Sequence, residues 1–333
     1  MVWLEFLISA AIIVLASMQL AKYGDIIGIR TGLGGMFAGS LLLATATSLP
    51  EVMTTITAVK SGLPDLAAGN LFGSNMFNIL LLAVLDLVHI RRRITRKNAE
   101  KHALSGSLAV LMIGMALFFI VADLPSKIQI GSFAVGLDGI SMILVYVLAM
   151  SILHKQSRQQ GLTGSKAPIP EGLPSLRVSI AWFVGAAIVL VLVTPKMVDS
   201  SARIAEITGL GATFIGSTLV AFVTSLPELV TTVSAARIGA DDMAIGNLFG
   251  SNMFNMFTLG IADLFFVEGR FFGVIDSSFL LIGIMGLLMT VFGLISSLAR
   301  IERKLLFVEI DALVLILAYF GGMALLYTRG VTP

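Results

Sequence analysis

Two short segments carry most of the chemistry this chain could perform. The first reads T-S-L-P-E at residues 47–51 and again at 224–228. On a helix, Thr47 and Glu51 lie four residues apart and Ser48 and Glu51 three, so their oxygens share one face. Pro50 has no amide hydrogen to donate, and its ring opposes the preceding turn. Backbone carbonyls near Ala46 and Thr47 are thereby freed to act as ligands. The second copy offers the same set in Thr224, Ser225, Pro227 and Glu228. Carboxylates, hydroxyls and loosened carbonyls make an oxygen-only site, which suits hard cations such as Ca²⁺ and Na⁺.

The second segment, G-N-L-F-G-S-N-M-F-N, occupies 69–78 and recurs without change at 246–255. Ser74 and Asn78 sit one helical turn apart and can face one cavity, as can Ser251 and Asn255. Gly69 with Gly73, and Gly246 with Gly250, have the spacing that lets helices approach closely. Asn70, Asn75, Asn247 and Asn252 either line the same site or cap the start of the motif.

These segments belong to one larger duplication. Residues 39–78 align with 216–255 without a gap. A weaker echo pairs Asp138 and Tyr146 with Asp311 and Tyr319, so the repeat covers each half of the chain. Helix packing alone would account for the glycines. It leaves two glutamates, two prolines and the paired asparagines without a reason.

The solvent around these elements follows from composition. Of 333 residues 57% are apolar and 13% charged, far more apolar surface than a soluble chain this long can use. The net charge of +2 gives no reason to expect a nucleic-acid partner, and the absence of cysteine excludes disulfides and thiolate metal sites. Apolar runs long enough to cross a bilayer recur at 3–21, 34–59, 66–88, 103–123, 130–153, 178–195, 210–236, 243–266, 272–298 and 306–328. The expected fold is therefore an all-α integral membrane protein of ten transmembrane helices. The first run lacks a basic flank and cleavage site and is expected to be retained. Residues 1–154 form a first five-helix repeat with its motif at 39–79, and 178–333 a second with its motif at 216–256. A linker at 155–177, rich in Gly and Pro, joins them.

Basic residues set the expected orientation. Arg91, Arg92, Arg93, Arg96, Lys97 and Lys101 crowd one connection, and the linker and the Arg300–Lys304 turn are also basic. Placing these inside leaves roughly 16 basic residues inside and roughly six outside, with both termini outside. Five spans per half then make the halves inverted relative to each other, an arrangement of secondary transporters that bind at the midplane.

A charged side chain at a helix centre costs roughly 2.5–3.5 kcal/mol on insertion scales. Two glutamates with no Lys or Arg in the motif's helical core need a cation or protons as partners. One Ca²⁺ balances both charges, and monovalent ions or protons could balance them in its place. Glu5, Asp86, Asp263 and Asp276 fall near helix ends, where solvation or capping explains them. Asp138 and Asp311 remain candidates for contact with the ion path.

With both motifs present twice, the chain resembles the calcium/cation antiporter superfamily, the sodium/calcium exchangers of prokaryotic type. The resemblance spans the whole chain and implies a secondary active antiporter, not an enzyme, exchanging Ca²⁺ for Na⁺ by alternating access. It implies that Glu51 and Glu228 share the calcium ion with the carbonyls of Thr47 and Thr224. Ser48, Ser74, Ser225 and Ser251, with carbonyls of Ala44 and Ala221, would line flanking sodium sites, and Asn78 and Asn255 would face the central site. Some relatives carry Asp where this chain has Asn255, which argues against potassium dependence. Proton-coupled relatives make Ca²⁺/H⁺ antiport the alternative, and a cation channel a more distant one. The transported ions are substrates; no cofactor and no protein partner is expected. The expected location is the plasma (inner) membrane.

Overall fold

The computed structural model describes residues 1–31, 44–88, 99–122, 124, 128–130, 133–159, 172–237, 241–299, 304–305 and 308–330. It is nearly all helical, because continuous apolar runs in a bilayer must satisfy their own backbone groups. In chain order the helices of the first half are α1 (Val2–Thr31), α2 (Leu49–Lys60), α3 (Pro64–Val88), α4 (Ala99–Val121) and α5 (Leu137–Gln159). The second half holds α6 (Leu176–Thr208), the bent pair α7 (Ala212–Thr224) and α8 (Leu226–Arg237), and α9 (Asp241–Phe265). A single turn α10 (Phe271–Val274), then α11 (Ser278–Ala299) and α12 (Ile310–Gly330), complete it.

Two short antiparallel hairpins modify the all-helical expectation. Ile128–Ile130 (β1) pairs with Phe133–Val135 (β2), and Lys304–Leu305 (β3) with Val308–Glu309 (β4). Each precedes a helix, so the runs expected at 130–153 and 306–328 become helical only at Leu137 and Ile310.

Among the described residues seven helices are long and apolar enough to cross a membrane, or eight if the bent pair α7–α8 counts as one span. That is fewer than the ten expected. α2 is only 12 residues long, and the preceding part of its expected span, 32–43, lies outside the described residues. α9 has the full length but is less apolar than α3, which carries the same asparagines: Met256, Thr258 and Gly260 stand where α3 has Ile79, Leu81 and Ala83. The arginines of 91–96, Lys97 and most of the 155–177 linker also lie outside the described residues.

α3 occupies the centre, packed against α2, α7, α9, α11 and α12. Its Leu66, Leu71, Phe72, Met76, Ile79 and Leu85 are fully buried. α1 and α6 pack against each other along their length at the margin, with Tyr23 stacked on Trp182 at 5.7 Å between centroids. Their outer faces expose Leu4, Leu7, Ile8, Leu15, Ile188, Val191 and Leu192, the pattern of a surface in contact with lipid. α6 closes on Gly209 at φ 68°, a left-handed cap that only glycine adopts freely.

Small residues bring the two repeats into backbone contact. A Cβ on Gly73 of α3 would run into the Ser217 carbonyl oxygen and lie 2.7 Å from the Ser217 Cα. One on Gly69 would lie 3.0 Å from Thr213 O. The opposing stretch of α7, Gly216–Val220, is a π-helical turn, a local widening often found at functional sites. The glycine spacing in the motif thus serves close approach, as its sequence indicated.

Candidate functional site

The repeated T-S-L-P-E segments break their helices in the same way. Ser48 sits at φ −87°, ψ 6° and Ser225 at φ −88°, ψ 4°, in the bridge region between helix and strand. Pro50 and Pro227 cannot donate to the carbonyls of Ala46 and Val223, so the ladder is interrupted one turn earlier. It resumes where Val52 N–H donates to Ser48 O at 3.2 Å and Leu229 N–H to Ser225 O at 3.1 Å. The second break bends α7 from α8 by 43°.

Each break delivers a glutamate into the contact between the copies. Ser48 Oγ donates to Glu228 Oε1 at 2.9 Å, and Ser225 Oγ donates to Glu51 Oε1 at 3.2 Å. Each serine therefore serves the other copy's carboxylate, the reciprocal pattern of a two-fold contact. Ser251 Oγ adds a longer bond to Glu228 Oε1 at 3.4 Å.

The asparagines repeat the reciprocity. Asn78 Nδ2 donates to Asn252 Oδ1 at 2.9 Å, and Asn255 Nδ2 donates to Asn75 Oδ1 at 3.0 Å. Asn75 and Asn252 are thus neither caps nor members of the glutamate contact; they pair with the other copy's amides. Sequence spacing within one copy could not reveal a register between α3 and α9.

All twelve sequence-predicted positions (Ala44, Thr47, Ser48, Glu51, Ser74, Asn78, Ala221, Thr224, Ser225, Glu228, Ser251 and Asn255) are buried, none more than 1% exposed. The Thr47 hydroxyl donates back to Ala44 O at 3.2 Å, and Thr224 Oγ1 lies 3.3 Å from Ala221 O. Those carbonyls also accept the Ser48 and Ser225 amides, each at 3.0 Å.

Several buried oxygens have no hydrogen-bond partner among the described residues: Glu51 Oε2, Glu228 Oε2, Ser74 Oγ, Asn78 Oδ1 and Asn255 Oδ1. Buried polar atoms are normally satisfied. An oxygen-rich set with two carboxylates and neutral donors, all left short of partners, has the composition a hard cation coordinates. Among the described residues no three His, Cys, Asp or Glu side chains cluster, so the charge at this site comes from the glutamate pair.

The two copies are not bonded alike: Ser251 reaches Glu228 while Ser74 Oγ has no partner among the described residues, and Asn70 and Asn247 hold different groups. Thr224 Oγ1 donates across to Asn70 Oδ1 at 2.9 Å, and Asn70 Nδ2 donates to Glu51 O at 3.4 Å. Its equivalent, Asn247, donates to the Thr231 and Thr232 hydroxyls at 3.2 and 3.1 Å, and its Oδ1 has no partner among the described residues. The hydroxyls of Thr54 and Thr55, which correspond to Thr231 and Thr232, have no partner among the described residues.

The remaining acids separate from this centre. Asp138 is fully buried and forms an ion pair with Arg270 Nε at 2.8 Å. Arg270 Nη2 also donates to Phe119 O and Ala122 O, at 2.8 and 3.0 Å, closing the end of α4. Asp263, expected to be solvated or capping, is fully buried and caps: it accepts the amides of Gly136 and Phe271, at the starts of α5 and α10, at 3.0 and 2.9 Å. Asp276 is exposed and caps α11 through the Ser278 amide at 2.7 Å. Glu5 is exposed and paired with Arg203. Asp311 accepts from Ser296 Oγ at 2.5 Å. The side chain of Asp86 lies outside the described residues.

A nearly all-helical membrane fold around a duplicated, buried pair of carboxylates defines the class, and comparison with known proteins narrows it. The family described as "Sodium/calcium exchanger protein" matches residues 1–155 and 178–328, and the chain belongs to that family. It is 30% identical over 240 residues to the inner membrane protein YrbG of Escherichia coli, covering 70% of each chain. It is 26% identical over 299 residues to the sodium/calcium exchanger MaX1 of Methanosarcina acetivorans, covering 79% of this chain and 83% of that one. The solved H⁺/Ca²⁺ exchanger CAX shares the fold at a TM-score of 0.72 with 11% identity, over 99% of this chain and 85% of that one.

Proposed function

We propose that the protein is a secondary active antiporter that exchanges Ca²⁺ for Na⁺ across a plasma (inner) membrane by alternating access. The observation that carries this reading is the reciprocal bonding of Ser48 to Glu228 and Ser225 to Glu51. It makes one site from two repeats, with both carboxylates buried and each leaving an oxygen without a partner. One Ca²⁺ neutralises both carboxylates, and Na⁺ ions taken up by the same oxygens neutralise them when Ca²⁺ has left. Ca²⁺ would bind Glu51, Glu228 and the carbonyls of Thr47 and Thr224. Na⁺ would use Ser48, Ser74, Ser225 and Ser251 with the carbonyls of Ala44 and Ala221, and Asn78 and Asn255 would face the centre.

In this reading the chain crosses the membrane ten times in two inverted five-helix halves, with both termini outside. The paired difference at Asn70 and Asn247 supports alternation. Two copies of one sequence that hold different partners are what a single conformer of a two-state cycle contains. In the opposite conformer Asn247 would turn to Thr47, and Asn70 to Thr54 and Thr55. The marginal pair α1 and α6 would slide against the packed core.

A second reading, Ca²⁺/H⁺ antiport, is favoured by the high structural likeness to an H⁺/Ca²⁺ exchanger and by the ability of buried carboxylates to carry protons. Calcium uptake into proteoliposomes separates the two. An imposed Na⁺ gradient should drive uptake; uptake driven by a proton gradient and not by Na⁺ would replace the first reading with the second. Uptake that needs neither gradient would indicate a channel.

A further inference from the structure

Asn78 and Asn255 differ from every other member of the site in having two unlike ends. A carboxylate presents oxygen whichever way it turns, and a serine hydroxyl rotates to offer its lone pairs. A side-chain amide offers either a carbonyl oxygen, which attracts a cation, or an NH₂ group, which repels it. Something must fix which end faces the ion.

The structure supplies that fixing group twice. Asn255 Nδ2 donates to Asn75 Oδ1 at 3.0 Å and Asn78 Nδ2 donates to Asn252 Oδ1 at 2.9 Å. All four side chains are at most 2% exposed, so water does not compete for these ends. The oxygens on the far side, Asn78 Oδ1 and Asn255 Oδ1, are left without a partner, like the free oxygens of Glu51 and Glu228. Asn252 is itself held, its Nδ2 reaching the Asn75 backbone oxygen at 3.5 Å, whereas Asn75 Nδ2 has no partner among the described residues.

We propose that Asn75 and Asn252 are positioning residues: each accepts the NH₂ group of the opposite repeat's amide and so turns the oxygens of Asn255 and Asn78 into the cation site. The inference rests on Asn78 and Asn255 being cation ligands. It also gives the repeated Asn at the position following Ser74 and Ser251 a task that helix packing does not require. Because each positioning residue belongs to one copy and its ligand to the other, the amide ligands are oriented only when α3 and α9 are in register. A relative with Asp in place of Asn255 would have no such need, since both ends of a carboxylate are oxygen.

The test uses equilibrium ⁴⁵Ca²⁺ binding to the purified full-length protein in detergent, with thermal unfolding as the check on fold. Asn75→Leu removes the acceptor and should weaken Ca²⁺ binding roughly 10–100-fold, the usual effect of losing a group that orients a metal ligand. Asn75→Asp keeps an acceptor oxygen and should bind Ca²⁺ at least as tightly as the unaltered protein. The deciding comparison is Asn75→Leu in an Asn255→Asp background, where the ligand has no wrong end. There the leucine should change affinity less than threefold. An equal loss in both backgrounds, or no loss in the first, would overturn the proposal. Should Asn75→Leu fail to fold, Asn252→Leu judged against Asn78→Asp makes the same comparison through the other repeat. Asn255→Leu keeps the readings apart: unchanged Ca²⁺ binding there would remove Asn255 from the site, whereas weakened binding there with intact binding in Asn75→Leu would refute the positioning role alone.

Discussion

Replacing Gly73 with alanine should separate the two repeats where they touch most closely. The added Cβ would meet the Ser217 carbonyl oxygen, and would lie 2.7 Å from the Ser217 Cα and 2.8 Å from the Ala221 Cβ. Comfortable carbon contacts need about 3.5–4.0 Å. α3 and α7 must therefore part by about 1 Å, since the nearest atoms are backbone and cannot rotate away. Overpacking of this kind costs about 1–3 kcal/mol, which corresponds to a fall of several degrees in unfolding temperature. Another glycine calibrates the result: among the described residues a Cβ on Gly114 meets nothing within 4 Å. Gly114→Ala should be neutral or stabilising by up to about 1 kcal/mol through helix propensity. The expected order of unfolding temperature is Gly114→Ala at or above the unaltered protein and Gly73→Ala below it. Calcium uptake should fall with Gly73→Ala, because Ser74 follows it and Thr224 lies one turn beyond Ser217–Ala221. Equal unfolding temperatures and equal uptake for Gly73→Ala and Gly114→Ala would refute the idea that the bare face of α3 sets the approach of the repeats.

Ser48→Ala and Ser225→Ala each remove one hydrogen bond to the opposite glutamate, worth about 1.5–3 kcal/mol for a charged acceptor; ⁴⁵Ca²⁺ binding should weaken by about tenfold or more in both, and by similar amounts. Arg270→Met should lower the unfolding temperature sharply, since it strands the buried Asp138 carboxylate and two carbonyls of α4; breaking a buried pair costs about 3–5 kcal/mol. The Na⁺ dependence of Ca²⁺ uptake, measured per folded molecule, should stay unchanged in that variant because the pair lies apart from the glutamates. Replacing Thr231 and Thr232 by valine removes the partners of Asn247, while the same change at Thr54 and Thr55 removes those expected in the opposite conformer. The ratio of apparent Ca²⁺ affinities measured from the two faces of a vesicle should therefore shift in opposite directions for the two double variants.

Much of the site was legible because the chain states it twice. A proline three residues after a threonine and one before a glutamate, repeated at a fixed offset, specifies a broken helix carrying a carboxylate. Ser48 and Ser225 adopt the same backbone angles within a few degrees. The glycine spacing of α3 was equally readable, since small residues four apart have few purposes other than close packing. What a single copy could not show was how it meets the other. Asn75 looks like a possible cap until α9 places Asn255 against it. The burial of Asp263 escaped for a related reason: a carboxylate near a helix end suggests water, and the amide of Gly136 that fills its place is 127 residues away. Arg270 belongs to a short connection and gives no local sign that it reaches back to Asp138 and the end of α4.

The central claim is that Glu51 and Glu228 form one site between the repeats, not one site in each. The stoichiometry of ⁴⁵Ca²⁺ bound at saturation to the purified protein, and its displacement by Na⁺, tests this directly. A shared site predicts one Ca²⁺ per chain, displaced by Na⁺ and lost in full from either Glu51→Gln or Glu228→Gln. Two ions per chain, with each substitution removing only one of them, would contradict it.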